Sequence, residues 1–293
     1  MRVNSFLVQG DGAGLSSKLG SIASTTLNAL VLMSLGVDQS TLLSAIADHS
    51  IQCPVYFADS YGIIGWDESV GKNVELMEKG RGSEYGFQGG SGGQGCLVLA
   101  YSGGAKAGHS SEFPSDASSL MVVADTSKAF AKDLASSAWD GAPLHYGGIA
   151  KEAYVLKDGA LSQVPYFWIA SPSKAEPIGV STFTEDAGKS AAALIDKTPS
   201  GWAPSTIGLF PCFTRGVNLY KQEDVESAEI GERLPKDTRV YGMFAHGELG
   251  PSGGIGHWTN EPIAVPHEQH SMTSILAVHT MAESAVEGMK EEV

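Results

Sequence analysis

The sequence has few cysteines, few basic residues and no long hydrophobic run. The three cysteines (Cys53, Cys96 and Cys212) are widely spaced and form no C-x-x-C pair, which indicates reduced thiols and excludes a disulfide scaffold or a cysteine-based zinc site. Lysine and arginine number 19 against 33 acidic residues, so the formal net charge is −14. A field of that sign repels phosphate backbones and anionic lipids, so we expect no nucleic-acid partner and no membrane partner.

No apolar run approaches the roughly 20 residues that cross a bilayer. The apolar patch near the start, Phe6-Leu7-Val8, is too short for a signal peptide. Together with reduced thiols, these absences predict a cytoplasmic or nuclear protein. With 42% hydrophobic residues in a chain of 293, there is enough apolar material for a full core, which excludes a disordered chain.

Three stretches of the sequence share one pattern: an apolar run, a helical run, and a second apolar run that ends at glycine. The apolar runs are 27–33 with 54–58, 120–124 with 143–146, and 206–210 with 239–244, and the helical runs between them are 38–49, 126–139 and 222–234. Short unbroken apolar runs are typical of strands covered on both faces, and helices between them are typical of parallel crossovers. A final helix is predicted at 271–290 from its apolar positions.

The closing turns of the first and third stretches match at four positions. Val55, Tyr56, Gly62 and Gly65 recur at identical spacing as Val240, Tyr241, Gly247 and Gly250. Such a match at the same point of the same element order suggests related halves. We therefore predict an α/β (mixed α+β) fold of two similar lobes, residues 1–172 and 173–293. Each lobe would consist of strand–helix–strand units whose sheets are flanked by helices.

Two turns carry the strongest local signal for a binding site. The residues are Cys212, Arg215 and Gly216 in the first turn and His246, Gly247, Glu248 and Gly250 in the second. Both turns follow apolar runs predicted to be neighbouring parallel strands, so both should reach the same edge of a sheet. A guanidinium and a carboxylate could then face one small concavity, with glycine amides as donors and a thiol of lowered pKa beside them. The alternative is that Arg215 and Glu248 form a structural ion pair.

Histidines form a second candidate site. His267-x-x-His270 offers two imidazoles to zinc, with His246 or His257 as a third ligand, which would indicate a metal-dependent enzyme. Exposed or locally hydrogen-bonded histidines explain the same pattern without a metal. The sequence has no G-x-S-x-G elbow, and spacing alone nominates no Ser-His-Asp or Cys-His set. We therefore predict no catalytic residue and no cofactor.

At the two turns the sequence resembles the FIST domain family, an intracellular signal-transduction module with an N-terminal and a C-terminal half. The segments that carry the resemblance are Cys212-Phe213-Thr214-Arg215-Gly216 and Gly242-Met243-Phe244-Ala245-His246-Gly247-Glu248-Leu249-Gly250. The segment 270–277 is similar to the last helix of this region in eukaryotic F-box proteins. Thr214 stands where the family usually has glycine.

The resemblance implies a non-catalytic binding module and not an enzyme. Bacterial members are regarded as sensors of small ligands such as amino acids, and the eukaryotic relatives recruit proteins for ubiquitination. Residues 1–50 contain no Leu-Pro-initiated three-helix pattern, so we expect no F-box that could dock a ubiquitin-ligase adaptor. The implied partner is a protein of the ubiquitin–proteasome pathway or a small amino-acid-like ligand. Arg215 would bind an anionic group of that ligand and Glu248 an ammonium group.

Overall fold

The apolar runs of the sequence form strands, and strands dominate the fold. The computed structural model describes residues 1–23, 25–78, 92–109, 113–126, 143–172, 176–184, 186–235, 238–252, 256–260 and 267–285. Of the described residues, 49% lie in strands and 17% in helices.

The first part of the chain contains β1 (Arg2–Gln9), α1 (Leu15–Ala23), β2 (Ala29–Leu35), α2 (Gln39–Ala47), β3 (Val55–Asp59), β4 (Gly62–Asp67), β5 (Lys72–Met77), β6 (Gly95–Ser102), β7 (Lys106–Gly108) and β8 (Ala117–Ala124). The chain continues with β9 (Leu144–Ile149), β10 (Glu152–Lys157), β11 (Ala160–Gln163), β12 (Tyr166–Pro172), β13 (Ile178–Phe183), α3 (Ala187–Ile195) and β14 (Trp202–Pro211). The last elements are α4 (Val217–Tyr220), α5 (Val225–Gly231), β15 (Arg239–Met243), β16 (Glu248–Pro251), β17 (His257–Trp258), β18 (His267–His270) and β19 (Ser274–Ala282).

The strands form three mixed sheets. Sheet 1 has the order β1-β6-β2-β3-β10-β11, sheet 2 has β7-β12-β8-β9-β16-β18, and sheet 3 has β17-β13-β19-β14-β15-β4-β5. Each sheet contains a parallel pair, namely β2 with β3, β8 with β9, and β14 with β15. These pairs are formed by the three sets of apolar runs that the sequence predicts to lie parallel. The predicted helix at 126–139 falls almost wholly outside the described residues.

The three sheets repeat one plan, which gives the fold a pseudo-threefold symmetry. In each sheet an antiparallel strand (β6, β12 or β19) lies beside the parallel pair, and two strands from a neighbouring repeat follow on the other side. The registers also agree. The same position in the second strand of each parallel pair is occupied by Tyr56, Tyr146 and Tyr241. Three residues further along the chain, the equivalent position is occupied by Asp59, Ile149 and Phe244. Each repeat, named after its parallel pair, therefore donates two strands to another sheet. The first repeat gives β4 and β5 to sheet 3, the second gives β10 and β11 to sheet 1, and the third gives β16 and β18 to sheet 2.

The three sheets face a common apolar core that takes residues from all of them, for example Val31, Tyr146 and Ile275. Helices α1 and α2 pack on the outer face of sheet 1 through residues such as Leu19 and Leu42. Helices α3 and α5 pack on sheet 3. No helix among the described residues is both long enough and apolar enough to span a membrane.

The predicted α/β fold of two strand–helix–strand lobes with helix-flanked sheets is wrong, because strands outweigh helices and build three sheets. The predicted helix at 271–290 is one source of the error, since 274–282 form β19. Every residue from Ser274 to Thr280 is buried, so neither a helical nor a strand period is visible in its apolar pattern. The boundary at residue 172 stays a prediction. It falls between β12 and β13, and sheets 2 and 3 take strands from both sides of it.

Candidate functional site

The two turns singled out from the sequence lie side by side in the structure. Cys212, directly after β14, forms a parallel bridge with Ala245, which follows β15. The Phe213 N–H donates to the Ala245 carbonyl at 2.8 Å, and the Cys212 N–H donates to the Thr273 carbonyl at 2.9 Å. The turns meet because β14 and β15 are adjacent and parallel, so the segments that follow them leave sheet 3 at the same end of the strands.

Arg215 is enclosed by the protein, with only 2% of its surface exposed. Its Nε donates to Glu226 Oε1 at 2.5 Å, and its Nη2 donates to the Tyr220 hydroxyl at 2.8 Å. Its Nη1 donates to the carbonyls of Thr184 at 2.8 Å and Met272 at 3.2 Å. Arg215 thus pairs with Glu226 and not with Glu248, and its donors are directed at protein acceptors.

Glu226 is the matched acceptor of this network and is 1% exposed. Its Oε1 also accepts from the Tyr220 hydroxyl at 2.7 Å, and its Oε2 accepts from the Ser274 hydroxyl at 2.7 Å. A buried ion pair is tolerated only when further hydrogen bonds satisfy its remaining polar atoms, as they do here. The pair links α5 to β19 and to the turn after β14, which is a structural role.

Glu248 and Cys212 form a second buried cluster. Glu248 is fully buried, and its Oε2 accepts from the N–H of Thr273 at 3.2 Å and from its hydroxyl at 2.7 Å. Burial raises the pKa of Glu248 to about 7, although the Thr273 hydrogen bonds act to lower it. Burial, and after it the nearby Glu248 carboxyl, raise the pKa of the Cys212 thiol. The lowered thiol pKa expected for an exposed turn is therefore not found, because the turn is buried, and burial and then Glu248 both raise the pKa.

The glycines of the two turns are packed closely. Gly216 has φ +56°, and a Cβ there would lie 2.8 Å from Phe244 Cε1. A Cβ at Gly250 would lie 2.5 Å from Ile275 Cδ1, and one at Gly247 would lie 2.7 Å from the Gln269 side chain. These glycines permit close contact between elements, so their absent side chains leave no open space for a ligand.

His246 is the exposed member of the predicted site. Its ring stacks on Phe213 with centroids 5.3 Å apart and lies 5.7 Å from the ring of Tyr61. Of the other candidate zinc ligands, His257 lies in β17, whereas His267 and His270 lie in β18. Within the described part of the chain, no group of three or more His, Cys, Asp or Glu side chains is arranged to hold a metal ion.

An open cavity lies at sheet 1, where β2 and β3 end. We call it the β2–β3 hollow. It has a volume of about 170 Å³ and is lined by Ser34, residues 36–39, Leu42, residues 57–59, Tyr154 and Leu161. Its walls are the β2–α2 turn on one side and the β10–β11 pair on the other. Ligands of sheets with parallel strands commonly bind beyond the carboxyl ends of those strands, which is where this hollow lies.

The hollow combines an apolar floor with acidic walls. Val37, Leu42 and Phe57 supply apolar surface, and Asp38 and Asp59 supply carboxylates. Burial raises the pKa of Asp59 above its ordinary value, while the Lys151 ammonium acts to lower it. Asp59 nevertheless keeps 37% of its side-chain surface exposed. The carboxylate is thus partly desolvated and still reachable from solvent.

The equivalent place at sheet 3 is filled by a side chain. Phe244, the counterpart of Asp59, is 1% exposed. Its ring lies so close to Gly216 at the start of α4 and to Gly62 in β4 that a Cβ at either position would be within 2.8 Å of it. The ring therefore spans the space between the helix and the strand pair. At sheet 2 the counterpart is Ile149, and the chain after β8 (127–142) lies outside the described residues.

The hollow is not among the sites predicted from the sequence, although the sequence contains a signal for it. The residues repeated in the first and third stretches mark equivalent turns, and only the turn of the third stretch carries the family resemblance. No protein-family model matches the chain, and no curated protein matches it. The resemblance to the FIST family therefore stays a prediction.

Proposed function

We propose that this chain is a non-catalytic binding module of the FIST type that senses a small ligand in the β2–β3 hollow. The observation that carries the proposal is the contrast between two equivalent places: Phe244 closes the one at sheet 3, whereas Asp59 leaves the one at sheet 1 open. A small, partly apolar cavity with a few polar groups is the usual form of a small-molecule site.

Binding rather than catalysis is proposed because of the side chains available there. The described residues that line the hollow include no histidine, the side chain most often used as a general acid or base, and no cysteine or lysine nucleophile. The Arg215–Glu226 pair supports a structural role for the turns of sheet 3. The ligand site is therefore proposed at sheet 1 and not at those turns.

The test is a ligand screen by protein-observed NMR against the twenty amino acids and a panel of neutral, anionic and cationic metabolites. We expect at least one compound to shift the amide signals of residues 36–39 and 57–59. The variant Asp59→Phe carries the side chain that fills the equivalent space at sheet 3, and it should abolish those shifts. Asp196→Phe is the matched control, since it places the same ring on the exposed end of α3.

Two results would remove the proposal. One is a screen in which no compound shifts the signals of the hollow. The other is a ligand whose binding is unchanged in Asp59→Phe, because that ligand would occupy another part of the molecule.

A further inference from the structure

The β2–β3 hollow is electrically negative. Asp38 and Asp59 line it, and its described lining residues include no lysine and no arginine. Glu152, which lies opposite Asp59 in the pairing of β10 with β3, adds a nearby carboxylate and accepts a hydrogen bond from the Tyr154 hydroxyl. The chain as a whole carries a net charge of −14, so no distant excess of positive charge offsets this local field. A ligand anion would be repelled here at close range.

Helix α2 begins at the hollow, and a helix N-terminus by itself favours an anion. Its macrodipole is equivalent to about half an elementary charge at that end. Asp38 directly precedes the helix, and its side chain makes no capping hydrogen bond, so a full negative charge lies at the same end. Asp59 adds a second full charge. Lys151 lies 3.9 Å from Asp59 and supplies one positive charge, but it also pairs with Glu78. The carboxylates therefore outweigh the helix and this ammonium together, and the hollow favours a cation.

The carboxylate of Asp59 has room for a donor from a ligand. Its Oδ1 lies 3.9 Å from Lys151 Nζ, which is longer than a hydrogen bond. Lys151 instead donates to Glu78 Oε1 at 3.1 Å. A ligand ammonium could approach Asp59 without displacing a direct hydrogen bond from Lys151.

The rest of the hollow suits a short apolar body. Val37, Leu42, Phe57 and Leu161 contribute apolar side chains to its lining. Its volume of about 170 Å³ is close to that of an engineered cavity of about 150 Å³ in another protein, which holds benzene. A ligand body of about four to six carbon atoms matches that size.

We infer that the ligand of the β2–β3 hollow is a small primary amine, bound as its ammonium ion by Asp59 and Asp38 with its apolar body on the floor. This inference rests on the proposed function and narrows it. The amino-acid-like ligand expected from the family resemblance carries a carboxylate, and the hollow offers that carboxylate no cationic side chain among its described lining residues. The inference therefore favours amines over their parent amino acids.

A series of three compounds that share one branched body tests the inference. The compounds are 3-methylbutylamine, leucine, which adds a carboxylate to that amine, and 3-methylbutan-1-ol, which lacks the charge. Titrations followed by the NMR signals of residues 36–39 should show the amine binding at least about tenfold more tightly than either of the other two.

Isosteric variants identify the groups responsible. Asp59→Asn should weaken amine binding about tenfold, because a charge-assisted hydrogen bond becomes a neutral one, and it should leave the affinity for the alcohol nearly unchanged. Asp38→Asn should act in the same direction, and the exposed Asp196→Asn should change nothing. Thermal unfolding of each variant confirms that it is folded, and Asp38, being exposed, provides a second variant if Asp59→Asn is unstable.

Equal or tighter binding of leucine, no binding of the amine, or an unchanged amine affinity in both Asn variants would overturn the inference. In those cases the proposed function survives if another compound of the screen binds in the hollow and loses its affinity in Asp59→Phe. It fails separately if nothing binds there at all.

Discussion

Replacing Arg215 with methionine tests whether the turn after β14 is structural. Methionine keeps much of the length and the apolar stem of the side chain but removes the guanidinium. Glu226 would then remain 1% exposed with the hydroxyls of Tyr220 and Ser274 as donors and without its cation. The carbonyls of Thr184 and Met272 would also lose their shared donor.

The expected cost follows from that geometry. Removing one partner of a buried ion pair destabilises a protein by about 3–5 kcal/mol, mainly because the other charge is left buried. The two carbonyls add to the cost, whereas the retained hydroxyl donors of Tyr220 and Ser274 reduce it. We therefore expect Arg215→Met to lower the free energy of unfolding by about 3–5 kcal/mol. That is a large share of the roughly 5–15 kcal/mol that stabilises a typical domain.

A double-mutant cycle measured by urea unfolding separates the pair from its surroundings. Glu226→Gln should also destabilise the protein, and the double variant should be more stable than the sum of the two single effects predicts. Ligand binding at the β2–β3 hollow should be the same in all four proteins. A cost below about 1 kcal/mol for Arg215→Met, or strictly additive effects, would refute the structural reading of this pair.

Two further predictions follow from burial. Because burial raises the pKa of Glu248 from 4.5 to about 7, its ionisation should lower stability by about 3 kcal/mol as pH rises through that range. Burial raises the pKa of Glu75 to about 7 as well, so Glu248→Gln should remove only its own part of the fall, whereas the exposed Glu268→Gln should retain the whole fall, in urea unfolding at pH 5 and pH 8. Iodoacetamide at pH 8 should label the half-buried Cys53 before Cys212 and Cys96, as followed by mass spectrometry; first labelling of Cys212 would contradict the buried turn.

The local pairing of strands was predictable from the sequence, whereas the global assembly was not. Unbroken apolar runs such as 29–35 and 55–59 indicate strands buried on both faces, and the helix between them indicates a parallel pair. Nothing in those runs says that β4 and β5 leave this repeat and join β15 in another sheet. Such exchange depends on which edges meet across the common core, which is information that no single stretch of sequence contains.

The same limit explains the outcome at the candidate site. The sequence places Arg215 and Glu248 on adjacent turns, and the structure does bring the turns together. Which carboxylate the guanidinium reaches depends on side-chain directions, and Glu226, only eleven residues after Arg215, is the partner. Opposite charges on neighbouring turns therefore indicate a charged cluster, but they do not distinguish a ligand site from an ion pair that closes the core.

The repeat offers a stronger criterion for function than the charges do. Equivalent positions of the three repeats occupy the same place in the strand register, so a difference between their side chains indicates a difference in what each place holds. At the position after the parallel pair, Phe244 and Ile149 are apolar, and Phe244 fills its space with a ring. Asp59 is charged and 37% exposed, and it lines an open cavity. A core-building role would favour a third apolar side chain there. Partial desolvation of this carboxylate has a cost, which Lys151 at 3.9 Å offsets in part and which binding a ligand cation would offset further.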